Sequence, residues 1–300
     1  MQLNRFTIRP FVEQALREEI GPGDTTGGYL LNPDDTADGL IYAKEPFVVC
    51  GLPLAEETIR VLDLDAEIVR EVREGEEVEP GQVLLRIHAR AWALLASERC
   101  ALDWIQYLSG IATRTRKYVR LVEPYGTRIT DTRKGVPGIR VLQKYAVRVG
   151  GARNHLFGLH NCILVKDNHI KIAGSITRAV EILREQAQHT FKIEVECETL
   201  EQVEEALKAG ADIIMFDNMS LDMLKEGVKL VGNKAVTEAS GGVREDTVVP
   251  IARSGVDVIS IGEITHTVRA MDCSLDIGDI KPSARRQIQA ERGLRLKEMG

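Results

Sequence analysis

Residues 131–140 read DTRKGVPGIR: an aspartate, two adjacent cations, Arg133 and Lys134, and a turn tightened by Gly135, Pro137 and Gly138. Arginine offers a planar pair of donors and lysine a point charge, so the pair suits a small, multiply charged anion. Five more apolar runs end in residues able to do chemistry. They are Lys166 after CILV, Glu196 after KIEV, Asp217 after DIIMF, Ser240-Gly241-Gly242 after AVTEA, and Gly262 after VDVISI. His155, His169 and His266 fall in the loops between them. Glu196 and Asp217 could hold Mg²⁺, which takes oxygen ligands and usually comes with phosphate. The same carboxylates could instead stabilise a cation developing at a sugar anomeric carbon. Glycine turns after strands expose N–H groups and, with a following helix N-terminus, suit a phosphate. Lys166 admits two readings: a Schiff-base nucleophile of an aldolase-like enzyme, or a fixed charge for a carboxylate or phosphate. The neighbouring cations favour the second. His155, His160 and His169 match no zinc spacing, and no cysteine is placed to join them.

These residues need elements to hold them together. From residue 125 onward, apolar strand-like runs (128–131, 162–166, 192–196, 212–217, 235–240 and 256–262) alternate with amphipathic stretches such as LEQVEEALKAG. Apolar strands alternating with helices indicate a parallel sheet covered by helices. Polar groups at six strand ends in a row favour a barrel, whose active site gathers at the carboxyl ends of the strands, over an open sheet with one switch point. A full eight-stranded barrel takes about 250 residues. The shorter stretch here implies an incomplete barrel of six or seven strands, its rim open to the N-terminal region or another subunit. The first hundred residues are mixed. A helix is expected over 11–20, with Phe11, Ala15 and Leu16 on one face. GPGDTTGG (21–28) reads as a loop, strands are expected near 40–45, 66–72 and 83–89, and 74–82 reads as a charged turn. Helix is expected over 91–122, with Gly110 as a break, and the charged tail after about 275 reads as an exposed helix.

Composition limits the ligand. The chain of 300 residues has a formal net charge of −6 and a pI near 5.7, which speaks against a nucleic-acid partner. The cationic clusters are therefore local. No run approaches a membrane span, and the start lacks a signal-peptide core. The five scattered cysteines read as reduced, mostly buried thiols of a cytoplasmic protein.

Ten stretches together resemble the quinolinate phosphoribosyltransferase family: GDTT, SERCALDWIQYLSGIAT, DTRK-x-x-PG-x-R, KYAVRVGG, NH-x-x-GL, LVKDNHI, EVE, ADIIMFDNM, EASGG and GVDVISIG-x-x-TH. The resemblance runs to about residue 277. It implies an α/β fold: an N-terminal α/β sandwich domain (1–112) and a C-terminal open α/β barrel (113–276), with the tail, about 277–300, packing back on the first. It implies a head-to-tail homodimer with shared active sites, Mg²⁺ as cofactor, and quinolinate and phosphoribosyl pyrophosphate as substrates. Carried over by position, Arg99 would reach into the partner's active site. Arg133, Lys134, His155 and Lys166 would line the dicarboxylate and pyrophosphate sites. Glu196 and Asp217 would sit by the ribose and metal, and Ser240, Gly241, Gly242, Gly262 and His266 would hold the 5′-phosphate. Lys134, Lys166, Glu196 and Asp217 are the expected catalytic set.

Two departures stand out. The family usually has Asn-His-Arg where this chain has Asn154-His155-Leu156, and usually has threonine and a small or apolar residue at Gly135-Val136. The family arginine contacts a substrate carboxylate, and Arg153 is the expected substitute. Leu156 keeps a second reading open, a paralogue acting on a different pyridine carboxylate. A non-catalytic homologue that binds phosphoribosyl pyrophosphate is a third, and a Schiff-base lyase a fourth.

Overall fold

The computed structural model describes residues 3–298. The chain divides into two compact units: Met1–Arg114, Arg148–Gly150 and Val268–Gly300 form one, and Thr115–Val147 with Gly151–Thr267 form the other. In chain order the first unit begins with α1 (Arg5–Ile20), α2 (Thr25–Leu30), β1 (Thr36–Ala43), β2 (Phe47–Val48) and α3 (Leu52–Leu62). It continues with β3 (Glu67–Arg70), β4 (Glu77–Val78), β5 (Val83–Arg90) and the 32-residue α4 (Ala91–Val122), within which the division falls.

The first helix starts earlier than its periodicity suggests. Asn4 accepts from the Thr7 N–H at 2.9 Å, and Ile8, Val12 and Leu16 form the buried stripe. GDTTGG is not a loop throughout. The Asp24 side chain caps α2, accepting from the Gly27 N–H at 3.0 Å. The charged stretch 74–82 also hides a strand, since β4 pairs with β2. Gly110 does not break α4. A methyl group there would overlap the Arg269 carbonyl, so the glycine permits close packing rather than a turn.

The second unit holds β6 (Arg128–Thr130), α5 (Arg140–Val149), β7 (Ile163–Val165), α6 (Asp167–Ala173), α7 (Ile176–Gln186), β8 (Ile193–Cys197), α8 (Leu200–Lys208), β9 (Ile213–Asp217), α9 (Leu221–Val231), β10 (Val236–Ser240), α10 (Glu245–Ala252), β11 (Val258–Ser260) and α11 (Glu263–His266). The chain then returns to the first unit as β12 (Cys273–Ile277) and α12 (Pro282–Glu298).

The first unit carries a four-stranded sheet in the order β12-β1-β5-β3, antiparallel throughout. β5 alternates in burial, and its inward residues pack in a core with Ile41, Leu52, Ile59, Leu94, Leu102 and Ile105. Against Leu40 and Tyr42, on the other face of β1, packs Ile288 of α12.

In the second unit six parallel strands run in the order β6-β11-β10-β9-β8-β7. The first strand thus pairs with the last. Among the described residues the edges β6 and β7 do not pair with each other, and β6 makes only an isolated bridge, Thr130 to Arg153 in the loop before β7, so the barrel is open there. Helices begin at side-chain caps: Ser175 for α7, Thr199 with Gln202 for α8, and Ser220 for α9. Because all six strands run the same way, their carboxyl ends converge at one mouth.

Candidate active site

The mouth of the second unit is a cleft of about 560 Å³ lined by Thr132, Arg133, Lys134, Arg140, His155, Leu164, Lys166, Glu196, Met215, Asp217, Asn218, Ser240, Gly241, Gly242 and Ser260. Nine expected residues meet there: Arg133, Lys134, His155, Lys166, Glu196, Asp217, Ser240, Gly241 and Gly242. Gly262 and His266 lie just behind: a methyl group on Gly262 would stand 3.1 Å from Lys134 Cδ and 3.3 Å from the His266 ring. Arg99 belongs to the first unit, where it pairs with Asp103 at 3.2 Å. His169 accepts the Lys166 N–H at 3.0 Å at the start of α6 and lines a neighbouring apolar cavity instead.

Asp131 turns out to be the anchor of the cation-bearing loop. Its carboxylate is fully buried, and Lys144 Nζ of α5 donates to it at 2.7 Å. The Asn154 amide and the His155 N–H donate to the same carboxylate at 3.0 and 2.8 Å. Burial raises the Asp131 pKa despite these donors and lowers that of Lys144. One buried pair therefore fixes both the Arg133-Lys134 turn and the start of the His155 loop.

Lys166 donates to Glu196 at 3.1 Å, with its side chain 40% exposed. It is not the desolvated lysine that a Schiff-base nucleophile requires. Asp217 closes β9 beside Ser240 of β10. Asn218 follows in the left-handed conformation at φ 53°, which asparagine tolerates. Its amide donates to Asp217 at 2.8 Å, and its backbone N–H donates to the Ser240 carbonyl at 3.0 Å. Gly241, at φ 96°, packs against the Asn218 side chain so closely that a Cβ would overlap it. That close approach is why the loop needs glycine. Glu196 is level with Met215, two residues before Asp217, so the two carboxylates enter the cleft at different depths.

Arg140 was missed as a site residue. It starts α5, lines the cleft, and donates to the Phe157 carbonyl at 3.2 Å and the Arg133 carbonyl at 3.4 Å. The expected substitute, Arg153, lines a different cavity with Arg128 and Lys192. The second guanidinium in the cleft, beside Arg133, is thus Arg140, the last residue of the DTRK-x-x-PG-x-R motif. Leu156 is 6% exposed and lines two neighbouring cavities rather than the cleft. Cys197, beside Glu196, is buried, and burial pushes its thiol up to about 12. It is an unreactive packing group. All five cysteines are free thiols.

A second group was also missed. His155 Nε2 lies 3.1 Å from both carboxylate oxygens of Glu194 and 3.4 Å from Oε1 of Glu238. A charged residue inside an apolar strand run, as in KIEVE and AVTEAS, was the available sign.

Comparison with known proteins bears on what such a cleft serves. The model of the quinolinate phosphoribosyl transferase C-terminal domain matches residues 111–276, and that of its N-terminal domain matches residues 24–109. This chain belongs to the quinolinate phosphoribosyltransferase family. A probable nicotinate-nucleotide pyrophosphorylase [carboxylating] of Bacillus subtilis (strain 168) is 40% identical, over 92% of this chain and 95% of its own. A protein of Synechocystis with the same name is 44% identical over 90% of this chain and 92% of its own. The solved nicotinate-nucleotide pyrophosphorylase of Francisella tularensis superposes with a TM-score of 0.88 at 35% identity, covering 92% of this chain and 98% of that one.

Proposed function

We propose that this protein transfers the phosphoribosyl group of phosphoribosyl pyrophosphate to quinolinate with decarboxylation, a step of NAD biosynthesis. The products are nicotinate mononucleotide, pyrophosphate and CO₂. The observation that carries the reading is the composition of the cleft. Four cationic side chains, Arg133, Lys134, Arg140 and Lys166, face two carboxylates, Glu196 and Asp217, beside a glycine turn, in a chain of this family.

The ring nitrogen of quinolinate bonds to the ribose anomeric carbon as the bond to pyrophosphate breaks, and the electron pair leaves with pyrophosphate. Lys134 and Lys166 stabilise that developing charge, a preorganised electrostatic effect typically worth about 2.7–4 kcal/mol per donor removed, or about 10²–10³ in rate. Glu196 and Asp217 face the positive charge that grows on the sugar. Arg133 and His155 orient the acceptor carboxylates. Ser240, Gly241, Gly242, Gly262 and His266 hold the 5′-phosphate. The carboxylate next to the ring nitrogen then leaves as CO₂. The pair left on the ring carbon is stabilised by the positive nitrogen and takes a proton.

Glu196 and Asp217 would also hold Mg²⁺. Their hard oxygen donors, next to a cationic phosphate site, suit an ion that binds through a few carboxylates and substrate phosphates. When bound, that ion supplies charge neutralisation for the pyrophosphate oxygens.

The protein works as a homodimer with shared active sites, Arg99 completing the site of the partner. Support comes from the position of Arg99 on the surface of α4, 53% exposed. A cytoplasmic location is consistent with the five free thiols. Among the described residues no helix is long and apolar enough to cross a membrane.

With leucine in place of the family's usual arginine at position 156, one second reading is an acceptor with one carboxylate fewer. A single assay separates the two. With Mg²⁺ and phosphoribosyl pyrophosphate, quinolinate should release CO₂ in step with nicotinate mononucleotide. Ribosylation of nicotinate without CO₂ release from quinolinate would replace the leading acceptor with the second.

A further inference from the structure

Glu194 of β8 and Glu238 of β10 are 1% and 3% exposed. Two carboxylates inside a barrel are costly unless paired. They lie beside a cavity of about 330 Å³ that also reaches Arg128, Ile213, Val236 and Val258, at or near the starts of the strands. That is the opposite end of the barrel from the cleft mouth. His155 lines both spaces.

We infer that Glu194 and Glu238 are positioning residues of the cleft: from beneath its floor they hold the His155 imidazole through Nε2, so that the other ring nitrogen, Nδ1, is a fixed donor to a substrate anion. The inference rests on the proposed phosphoribosyl transfer only for the identity of that anion.

Nε2 carries one hydrogen. Both oxygens of Glu194 share it at 3.1 Å, so Glu238 Oε1 at 3.4 Å has no hydrogen-bond partner of its own and adds its charge only where the carboxyl is ionised. The His155 backbone N–H is tied to Asp131. The residue is therefore held at both ends, by main chain and by ring. The charge state follows from the same contacts. Burial opposes the imidazolium, but the Glu194 hydrogen bond and the two carboxylate charges outweigh it and raise the His155 pKa. A neutral ring donating from Nε2 would turn a bare Nδ1 lone pair toward the cleft and repel an anion. Arg128, Arg153 and Lys192 also line the lower cavity. This cationic lining balances the carboxylates and disfavours a metal ion there.

The test uses the full-length protein and two readouts. The first is the ¹⁵N signature of the His155 ring at pH 7. Both nitrogens should be protonated in the unaltered protein, and Glu194→Ala should shift the ring toward neutral. The second is calorimetric binding of quinolinate. Glu194→Ala should weaken it by about ten-fold or more, and Glu194→Gln, which keeps an acceptor oxygen, by less. Circular dichroism checks folding. If Glu194→Ala does not fold, the isosteric Glu238→Gln and the unaltered ring carry the test, with a partial loss of ring charge expected. Unchanged affinity in a folded Glu194→Ala, a bare Nδ1 in the unaltered protein, or stoichiometric zinc on Nε2 would each overturn the inference. If the unaltered protein ignores quinolinate, the acceptor assignment fails instead. Inorganic pyrophosphate then serves as the anion probe, and the ring nitrogens decide.

Discussion

Asp131 and Lys144 show how one buried pair can position a site it does not join. Removing the cation would leave Asp131 charged and enclosed, with only neutral donors. Lys144→Met should therefore destabilise the fold by about 3–5 kcal/mol, read as a lower urea midpoint at unchanged slope. A second residue-scale prediction concerns pH. Burial, reinforced by Glu194, raises the Glu238 pKa from 4.5 to about 7. A raised folded pKa means the folded state favours the proton. The stabilisation is complete below pH 4.5 and is lost as pH rises through about 7. His155, also raised, acts in the same sense: its contribution is complete below 6.5 and is lost above its folded pKa. The melting temperature should fall between pH 5 and 8.5. Glu238→Gln should flatten that fall, removing a contribution on the order of 2 kcal/mol.

At the scale of elements, helix propensity and packing disagree at one position. In an exposed helix, Gly→Ala stabilises by up to about 1 kcal/mol. In α4 the added methyl of Gly110→Ala would overlap the backbone carbonyl of Arg269, which has no flexible end to move aside. Overpacking of that kind costs about 1–3 kcal/mol, so the net sign is unfavourable. Thermal unfolding should show a lower midpoint for G110A. The same contact explains why sequence reading placed a break at Gly110. A glycine that admits a neighbouring backbone and a glycine that ends a helix look alike until the neighbour is known.

At the scale of the whole molecule, the proposed shared sites make a complementation test decisive. Arg99→Ala and Glu196→Gln should each lower turnover by at least about 100-fold. After the two inactive proteins are mixed and their subunits exchanged, each mixed dimer has one site free of both changes. About a quarter of the unaltered activity should return. No recovery after verified exchange would place Arg99 outside the partner's site.

All six barrel strands, their polar carboxyl ends and nine of the cleft residues were legible in the sequence, because each apolar run and its polar end lie in one short stretch of chain, and the alternation of strands with helices implies a common strand direction. The family was legible in the order of its motifs. Tertiary structure alone decided the rest. It put Arg140 in the cleft and Arg153 elsewhere, and it made Asp131 the buried anchor for Lys144. It also joined Glu194 and Glu238 to His155 and paired β12 with β1. These relations link residues far apart in the chain, and their energies depend on burial, which no single stretch of sequence contains.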